Sequence, residues 1–497
     1  MKIFTIGDSV SQGFMSGAAA RTDLSYSSLL ARALGLFPGS RSSGKTDYFY
    51  PEWKKGGLPI NLEAIVRRVC QRYGHDISGL EWVTVLQTVN QVLNESEKYY
   101  ERGEGSADRR YPGKVPFFHN ISSWAFQVAD TWLVTPETCI KEIIAQAYKS
   151  QDNWFSCANA AFYRTALKVL SPNLDCNFSQ LDWLSLHAGR EGVENLVLWL
   201  GINNALGTLV TLRMRQTPNE PGRRPHTLSH EERCRNGWNL WHPEDFKAEY
   251  TELLDRVDRI MTERNRCRDW RVFIGNIPHI TTAPLLKGFG PVIQGGDGNI
   301  YFPHYTFMLL DENFALQDGT YLSYENARHV NDCIDEYNRI IKRLAEERNG
   351  IHLSQGEEGP YHLVDIGGAF KQIVLSCLGY GDYTWPGHFP AIDPPVNSRY
   401  YHTDTEGRFC QGGIFSLDGV HPSAIGQGLI ASEFFKVMQA AGRVFQQPLD
   451  WLSILKSDTL YQRPIGIMHE LYRHQNLSAL LIKKLQTLVF QHFRPHH

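Results

Sequence analysis

Apolar residues along the chain follow two spacings, which predict two kinds of secondary structure. Short continuous apolar runs bounded by glycine or polar residues are typical of strands buried on both faces of a parallel sheet. Five such runs lie at 3–6, 115–121, 196–200, 272–277 and 362–366. Between them, apolar positions recur at helical spacing at 25–34, 124–132 and 331–345. Strands that alternate with helices predict an α/β fold with a doubly wound parallel sheet.

The connections between the predicted strands differ greatly in length, and the long ones predict insertions. The stretch 36–111 holds two amphipathic patterns, which indicate a helical insertion. The polar stretch 205–245 and the glycine- and aromatic-rich stretch 283–325 are predicted to be long loops that cover or wall a site. One sheet domain would then span 1–445, followed by a C-terminal helical extension at 446–497.

The end of this extension, 464–497, combines an apolar stripe at helical spacing with an excess of basic residues. A basic amphipathic helix can lie on a membrane surface. The same stripe is also the ordinary pattern of a terminal helix that packs on its own domain. We therefore favour packing on the domain over contact with a membrane.

Composition and charge narrow the class of protein. The 497 residues are 42% hydrophobic and 21% charged, which excludes wholesale disorder. The net charge of −3 argues against a nucleic-acid partner, because binding phosphates requires a clustered excess of lysine and arginine. The nine cysteines are scattered and form no Cys-x-x-Cys pair, so neither a disulfide scaffold nor a zinc site is indicated.

Targeting signals give an expectation about location. No apolar run reaches the roughly 18 residues of a membrane span. The first strand begins at once, without room for a signal peptide before it. We expect a cytoplasmic protein, or a secreted one if a signal has been removed.

The segment 7–13, Gly-Asp-Ser-Val-Ser-Gln-Gly, follows the first predicted strand directly. It places Ser9 at the carboxyl end of a parallel strand, where α/β sheets hold their ligands. A serine exposed there is a nucleophile if a base reaches its hydroxyl. The alternative is a glycine- and serine-rich turn in which the serine only caps a helix.

His421 is the best candidate for that base among the 19 histidines. Asp418 precedes it by three residues, a spacing at which a carboxylate can orient an imidazole. Pro422 and a Ser-Ala-Ile-Gly run follow, which predicts that the loop enters a helix. The other candidates, His279, His388 and His402, lack this combination of a carboxylate and a helix start.

Two further segments end predicted strands with possible hydrogen-bond donors. Asn203 follows the third strand, where a side-chain amide can stabilise a developing oxyanion. It could equally be an asparagine that only turns the chain. The segment 120–127, Asn-Ile-Ser-Ser-Trp-Ala-Phe-Gln, leaves the second strand, and a backbone N–H in that turn is a second candidate donor.

These four segments, in this order, resemble the sequence blocks of the SGNH (GDSL-type) hydrolase superfamily. The first block and the Asp-x-x-His-Pro block match closely. In the third block, Asn204 stands where the family has aspartate. In the second, Ala125 stands at the position of the family's glycine. The resemblance leaves out the three insertions and the C-terminal extension.

The resemblance implies a three-layer α/β/α fold with a five-stranded parallel sheet. It also implies a carboxylic ester hydrolase with Ser9 as nucleophile, His421 as general base and Asp418 as the residue that orients His421. The oxyanion donors would be the Ser9 and Ala125 N–H groups and the Asn203 side chain. The resemblance implies no metal and no cofactor.

Three interpretations remain after this comparison. The favoured one is an ester hydrolase acting on a small-molecule or lipid ester through an acyl-enzyme. The second is an acyltransferase that hands the acyl group to an alcohol or sugar with the same three residues. The third is a binding protein without catalytic activity. Lipid esters, acetylated sugars and aryl esters all remain open as substrates, and so does the oligomeric state.

Overall fold

The centre of the molecule is a parallel β-sheet. The computed structural model describes residues 1–39, 47–106, 116–147, 158–172, 176–356, 358–380, 382–393, 395–397, 401–403, 405, 408–467, 469–470 and 474. Four hydrogen-bonded strands lie side by side in the order β1 (Phe4–Gly7), β2 (Asn195–Trp199), β3 (Arg271–Gly275) and β4 (Tyr361–Val364). All neighbours in this sheet are parallel. Each strand lies within one or two residues of a predicted run.

The second predicted strand, 115–121, does not form a full strand. Val115 lies outside the described residues. Asn120 makes one parallel bridge to Thr5 of β1, with the Thr5 N–H donating to the His119 carbonyl over 2.8 Å. The Ile121 N–H donates to the Thr5 carbonyl over 3.1 Å, and the Ser123 N–H donates to the Gly7 carbonyl over 3.2 Å. The Ile121 carbonyl, which would accept the next β1 N–H in a regular parallel ladder, accepts the Gln180 side-chain amide over 2.7 Å. The described sheet therefore has four strands and a single bridge at its β1 edge.

Apolar side chains cover both faces of the sheet. Leu196 and Leu198 of β2 belong to one buried cluster, whereas Val197 and Trp199 belong to another. Such a split follows from strand geometry, because successive side chains point to opposite faces. This explains why the strands are apolar runs rather than alternating patterns.

Helices fill the connections between the strands. In the described part of the chain the α-helices are Ser9–Gln12, Tyr26–Ala33, Leu62–Tyr73, Glu81–Glu101, Asp130–Leu133, Pro136–Ala147, Ala161–Leu170, Gln180–Arg190, Gly207–Thr211, His230–Asn236, Pro243–Arg259, Glu312–Asp318, Tyr324–Ser354, Ile366–Cys377, Ala424–Ala440, Trp451–Ser457 and Thr459–Gln462. The short strands outside the central sheet are Phe14–Met15, Ala18–Ala19, Pro38–Gly39, Tyr48–Phe49, Leu286–Phe289, Ile293–Gln294, Ile300–Tyr301, His304–Phe307, Leu322–Ser323, Tyr401–Thr403 and Phe409–Gly412.

Two of the three predicted insertions are more ordered than the sequence pattern indicated. The stretch 36–111 contains the helices Leu62–Tyr73 and Glu81–Glu101, as predicted. Within 283–325, where a loop was predicted, His304–Phe307 pairs on both sides and forms a three-stranded antiparallel sheet. The stretch 205–245 also carries helices, including His230–Asn236. Its capping box at Ser229 begins that helix.

The C-terminal extension is described only in part. The helix Trp451–Ser457 packs on the helix Ala424–Ala440, and Thr459–Gln462 packs on Trp451–Ser457 and on the strand Phe409–Gly412. The amphipathic pattern predicted at 464–497 lies almost wholly outside the described residues. Across the part of the chain that is described, no helix combines the length and apolarity needed to cross a membrane.

Candidate active site

Ser9 lies at the point where β1 ends and a one-turn helix begins. Gly7 ends the strand, and a Cβ at that position would lie 2.2 Å from Ser11 Oγ. Only glycine fits there. Asp8 then caps the helix Ser9–Gln12, its Oδ1 accepting the Val10 N–H over 3.0 Å. As the first residue of this helix, Ser9 has no intrahelical partner for its own N–H.

The His421 imidazole connects Ser9 with Asp418. Its Nε2 lies 2.9 Å from Ser9 Oγ, and its Nδ1 lies 2.9 Å from Asp418 Oδ2. A carboxylate on Nδ1 places the ring proton there and leaves Nε2 to accept the Ser9 hydroxyl proton. The fold thus brings together two residues that are 412 positions apart in the chain. The resulting order of groups is nucleophile, imidazole and carboxylate.

Asp418 is held as an acceptor by four donors. Its Oδ1 accepts the N–H groups of Val420 and His421, and its Oδ2 accepts the Gly17 N–H and His421 Nδ1. Burial raises the pKa of Asp418, but the facing His421 and these hydrogen bonds outweigh burial and leave the pKa below its usual value. Asp418 therefore stays ionised and can stabilise a protonated His421.

The hairpin of strands Phe14–Met15 and Ala18–Ala19 directly follows the segment 7–13 and contacts both Asp418 and His421. Its Ser16 N–H donates to Ser416 Oγ over 2.8 Å, beside the Gly17 bond to Asp418. The buried Phe14 ring packs against the His421 ring with centroids 4.5 Å apart. It also stacks on Trp124 at 5.6 Å. Phe14 thus holds the imidazole against the segment that carries Ala125.

The turn before His421 depends on a glycine. Gly419 has a φ of +67°, and a Cβ there would lie 2.8 Å from the Leu285 backbone nitrogen. The Gly419 carbonyl accepts that Leu285 N–H over 2.8 Å. Ser423 then caps the helix Ala424–Ala440, as the sequence predicted. His421 is therefore held between a tight turn and a rigid helix.

Ala125 lies in a segment whose other backbone donors are all occupied. Ala125 itself has a φ of +61°, and its N–H has no acceptor among the described residues. The neighbouring N–H groups donate over 2.8–3.3 Å in these pairs: Ser123 to Gly7 O, Trp124 to Gln12 Oε1, Phe126 to Ser123 O, Gln127 to Asp130 Oδ2, Val128 to Asn204 Oδ1 and Ala129 to Glu249 Oε1. One donor of this segment, that of Ala125, is thus left for a ligand.

Asn203 is tied to the same segment. Its Nδ2 donates to the Phe126 carbonyl over 3.0 Å, and its side chain is buried. An amide carries two hydrogens, so one anchors the Phe126 carbonyl and the second is left as a donor. Ala125 and Asn203 are therefore held together by a direct contact between their segments.

A buried carboxylate, Glu249, organises the back of this region. It accepts hydrogen bonds from Ala129 N–H, Asn204 Nδ2, Trp241 Nε1 and the guanidinium of Arg233. Both Glu249 and Arg233 are buried, and Arg233 also donates to Gln127 Oε1. Asn204, which stands where the family has aspartate, thus binds a carboxylate supplied by another helix.

Asp8 contributes a second buried carboxyl group. Burial raises the pKa of Asp8 to about 7, although the Val10 N–H and the His421 charge oppose that shift. The side chain is 2% exposed. Asp8 therefore keeps its proton to a much higher pH than Asp418 does.

The other candidate histidines lie elsewhere. His279 Nε2 lies 2.7 Å from Asp335 Oδ1, so it has a carboxylate partner that the sequence did not reveal, but no bond to Ser9. His388 is exposed. For His402 the structure describes only the backbone of the strand Tyr401–Thr403. Among the described histidines, His421 is the one that contacts Ser9 Oγ.

Several supporting residues were not found from the sequence. Gln12 lies in the first block and Phe14 directly follows it, so proximity to the motif was an available signal. Glu249 and Arg233 lie in a helix and an insertion with ordinary charged patterns. Nothing local distinguishes them from exposed residues of the same helices.

Two comparisons with known proteins were negative. A scan against protein-family models gives no match, and a search of curated proteins gives no match either. The resemblance to SGNH hydrolases therefore depends on the four sequence blocks and on the geometry described above.

Proposed function

We propose that this protein is a serine hydrolase that cleaves carboxylic esters through an acyl-enzyme on Ser9. The observation that carries the proposal is the His421 ring, 2.9 Å from both Ser9 Oγ and Asp418 Oδ2. We further propose the three-layer α/β/α fold of SGNH hydrolases, with the Asn120 bridge in the position of a fifth strand.

The proposed reaction begins with attack of Ser9 Oγ on the ester carbonyl carbon. His421 Nε2 takes the serine proton, and Asp418 stabilises the resulting imidazolium. The carbonyl oxygen becomes an oxyanion and accepts hydrogen bonds from the Ser9 and Ala125 N–H groups and from Asn203 Nδ2. The imidazolium then donates its proton to the departing alkoxide. Water, activated by His421, hydrolyses the acyl-enzyme and restores Ser9.

The electrostatic arrangement supports this division of roles. A general base needs a neutral imidazole before attack and a nearby negative charge afterwards. The lowered pKa of Asp418 supplies that charge across the neutral range. The single unoccupied N–H of the Ala125 segment and the second amide hydrogen of Asn203 supply preorganised donors, which are usually the largest contribution to such catalysis.

The test of the proposed nucleophile uses a probe whose reaction does not depend on which ester is the natural substrate. A fluorophosphonate reacts with an activated serine whatever the substrate, forming an Oγ–P bond with loss of fluoride. We expect mass spectrometry to locate the adduct on Ser9. We also expect hydrolysis of p-nitrophenyl esters, with a chain-length optimum between acetyl and palmitoyl that measures the acyl site. Ser9→Ala should lower kcat by roughly four orders of magnitude or more.

Ser11→Ala is the matched control. Ser11 is two residues away in the same block, and its hydroxyl bonds Tyr26 rather than His421, over 2.7 Å. We expect near wild-type kcat and a loss of about 1–3 kcal/mol of stability from the unpaired tyrosine. Folded wild-type protein that neither reacts with the phosphonate at Ser9 nor hydrolyses any ester would refute the proposal. Ester formation on adding an alcohol, in preference to hydrolysis, would reassign the protein as an acyltransferase.

A further inference from the structure

A second nucleophile and imidazole lie together on the helix His230–Asn236. Cys234 Sγ lies 3.5 Å from His230 Nε2. The two residues are four positions apart, so they share one face of the helix. Neither residue belongs to the proposed ester site. Cys234 is half-buried, whereas His230 is buried.

The other side of the His230 ring meets a buried carboxylate. His230 Nδ1 lies 3.1 Å from Asp130 Oδ1. The order of groups is sulfur, imidazole and carboxylate, which is the general arrangement of a base-activated nucleophile. Tyr163 OH also approaches His230 Nε2, at 3.1 Å, and lies 3.9 Å from Cys234 Sγ. A phenol there can donate to a thiolate.

The charges around the pair favour a protonated imidazole. Burial lowers the pKa of His230, but the Cys234 sulfur and the Asp130 carboxylate outweigh burial and raise it to about 10. Arg233 lies on the same helix as the pair, and the neighbouring helices contribute Asp130 and Tyr163, with Cys139 and Glu142 close to Tyr163. A cationic imidazole beside a sulfur stabilises the thiolate, which is the reactive form of cysteine.

We propose that Cys234, with His230 and Asp130, is a base-activated thiol and a site of oxidation by hydroperoxides. The Cys234 thiolate attacks one peroxide oxygen and forms an S–O bond while the O–O bond breaks. The leaving group, hydroxide from hydrogen peroxide or alkoxide from an organic hydroperoxide, takes the proton of the His230 imidazolium and departs as water or alcohol. The sulfur is oxidised to sulfenic acid, and the peroxide is reduced. This assignment does not depend on Ser9 or on the proposed ester hydrolysis.

The first test compares alkylation rates across pH within one protein. Cys377 and Cys410 are exposed and serve as internal references. A thiol with an ordinary pKa near 8.5 should lose roughly 75-fold in iodoacetamide rate between pH 8 and pH 6. We expect Cys234 to lose less than about threefold over that range and to be the faster site at pH 6. Peptide mass spectrometry after timed quenching gives each rate separately.

Two histidine variants test whether the His230 imidazole activates Cys234 or whether the loss of any histidine near a cysteine has the same effect. His230→Gln removes the imidazole, and we expect the Cys234 rate at pH 6 to fall at least tenfold. His329→Gln is the matched control, because His329 and Cys333 have the same four-residue spacing but His329 bonds the Gln216 amide instead of a carboxylate. We expect no change at Cys234 in that variant. If His230→Gln does not fold, the pH dependence of Cys234 alkylation in the wild-type protein still tests the proposal.

The peroxide step has its own measurement. Wild-type protein treated with hydrogen peroxide at pH 6 and then with dimedone should carry the sulfenic-acid adduct at Cys234 before Cys377 or Cys410. A Cys234 alkylation rate that falls with pH in parallel with the exposed cysteines would overturn the activated thiol. Fast alkylation without a dimedone adduct would overturn the oxidation site.

Discussion

The Asn203 side chain donates a hydrogen bond to the Phe126 backbone carbonyl over 3.0 Å. This contact joins the end of β2 to the segment that leaves the β1 edge of the sheet. It places the amide of Asn203 beside the unoccupied N–H of Ala125. Two donors from distant parts of the chain are thereby held in one fixed arrangement, before any ligand binds.

Replacement of Asn203 by alanine tests that arrangement. Asn203→Ala removes the second amide hydrogen and the anchor on Phe126, so we expect kcat for ester hydrolysis to fall about 10²–10³-fold. KM should change little, because the bond strengthens only in the transition state. Asn276→Ala is the matched control. Asn276 ends the neighbouring β3 and bonds Asp365 and Gly367 instead. An equal loss in both variants would contradict an oxyanion role for Asn203.

Ala125→Gly should stabilise the protein. A residue with a Cβ at a φ of +61° is strained by about 1–2 kcal/mol, and glycine removes that strain at some cost in chain entropy. We expect the free energy of unfolding to rise by roughly 0.5–1 kcal/mol, with kcat retained because the donor is a backbone N–H. Denaturant titration measures the change.

Ala129→Gly, in the same segment, is the control, and we expect it to lower the free energy of unfolding. Ala129 has a φ of −71°, where alanine is unstrained. We expect this variant to lose up to about 1 kcal/mol. Two losses of the same size would indicate that the positive φ at Ala125 carries no strain.

Asp8 should make stability fall as pH rises. In the unfolded chain its carboxyl group titrates near 3.8, whereas burial raises the pKa in the folded protein to about 7. Between these values the folded state holds a proton that the unfolded state has lost. The stabilisation is therefore complete below pH 4 and is lost as pH approaches and passes 7.

Asp8→Asn isolates this effect, because the amide keeps the acceptor for Val10 and does not titrate. Relative to the variant, the wild type should lose about 4 kcal/mol of unfolding free energy from pH 4 to above pH 7. Urea titrations at several pH values give the two curves. Parallel curves would show that Asp8 ionises normally in the folded protein.

Glu249→Gln should destabilise the region behind the Ala125 segment. The substitution leaves the buried Arg233 without its carboxylate, a loss of about 3–5 kcal/mol. Ala129 and Asn204 also lose part of their anchor, so we expect kcat to fall roughly tenfold or more at temperatures where the variant is folded. Thermal denaturation and ester kinetics measure the two effects.

Glu252→Gln on the same helix is the control. Glu252 pairs with Arg256 at the surface, over 2.7 Å. Exposed pairs contribute little, so we expect a change within about 0.5 kcal/mol and unchanged kcat. A Glu249→Gln variant that is as stable and active as Glu252→Gln would refute the positioning role.

Local sequence was sufficient for the central strands and for the candidate triad. Buried parallel strands are continuous apolar runs, so β1, β2, β3 and β4 were predicted within one or two residues. Ser9, Asp418 and His421 each stand in a short segment with its own turn or helix signal. The parallel order of the strands explains why Ser9 lies at the ligand-binding edge of the sheet. Asp418 and His421 come from the loop before the helix Ala424–Ala440 and meet that edge through hydrogen bonds to Gly17 and Ser9.

The remaining features depend on contacts between distant segments. The second predicted strand is reduced to one bridge, and the Ile121 carbonyl beyond that bridge accepts the Gln180 side-chain amide, a partner 59 positions away that apolar spacing does not encode. The free N–H of Ala125 is defined only by the acceptors of its neighbours, which come from Gln12, Asn204 and Glu249. The sequence by itself determined which elements form and which residue types carry the chemistry, because propensity and spacing act locally. The tertiary structure decided which donors are occupied, which charges are buried and which ring holds His421, because those properties belong to the packed chain.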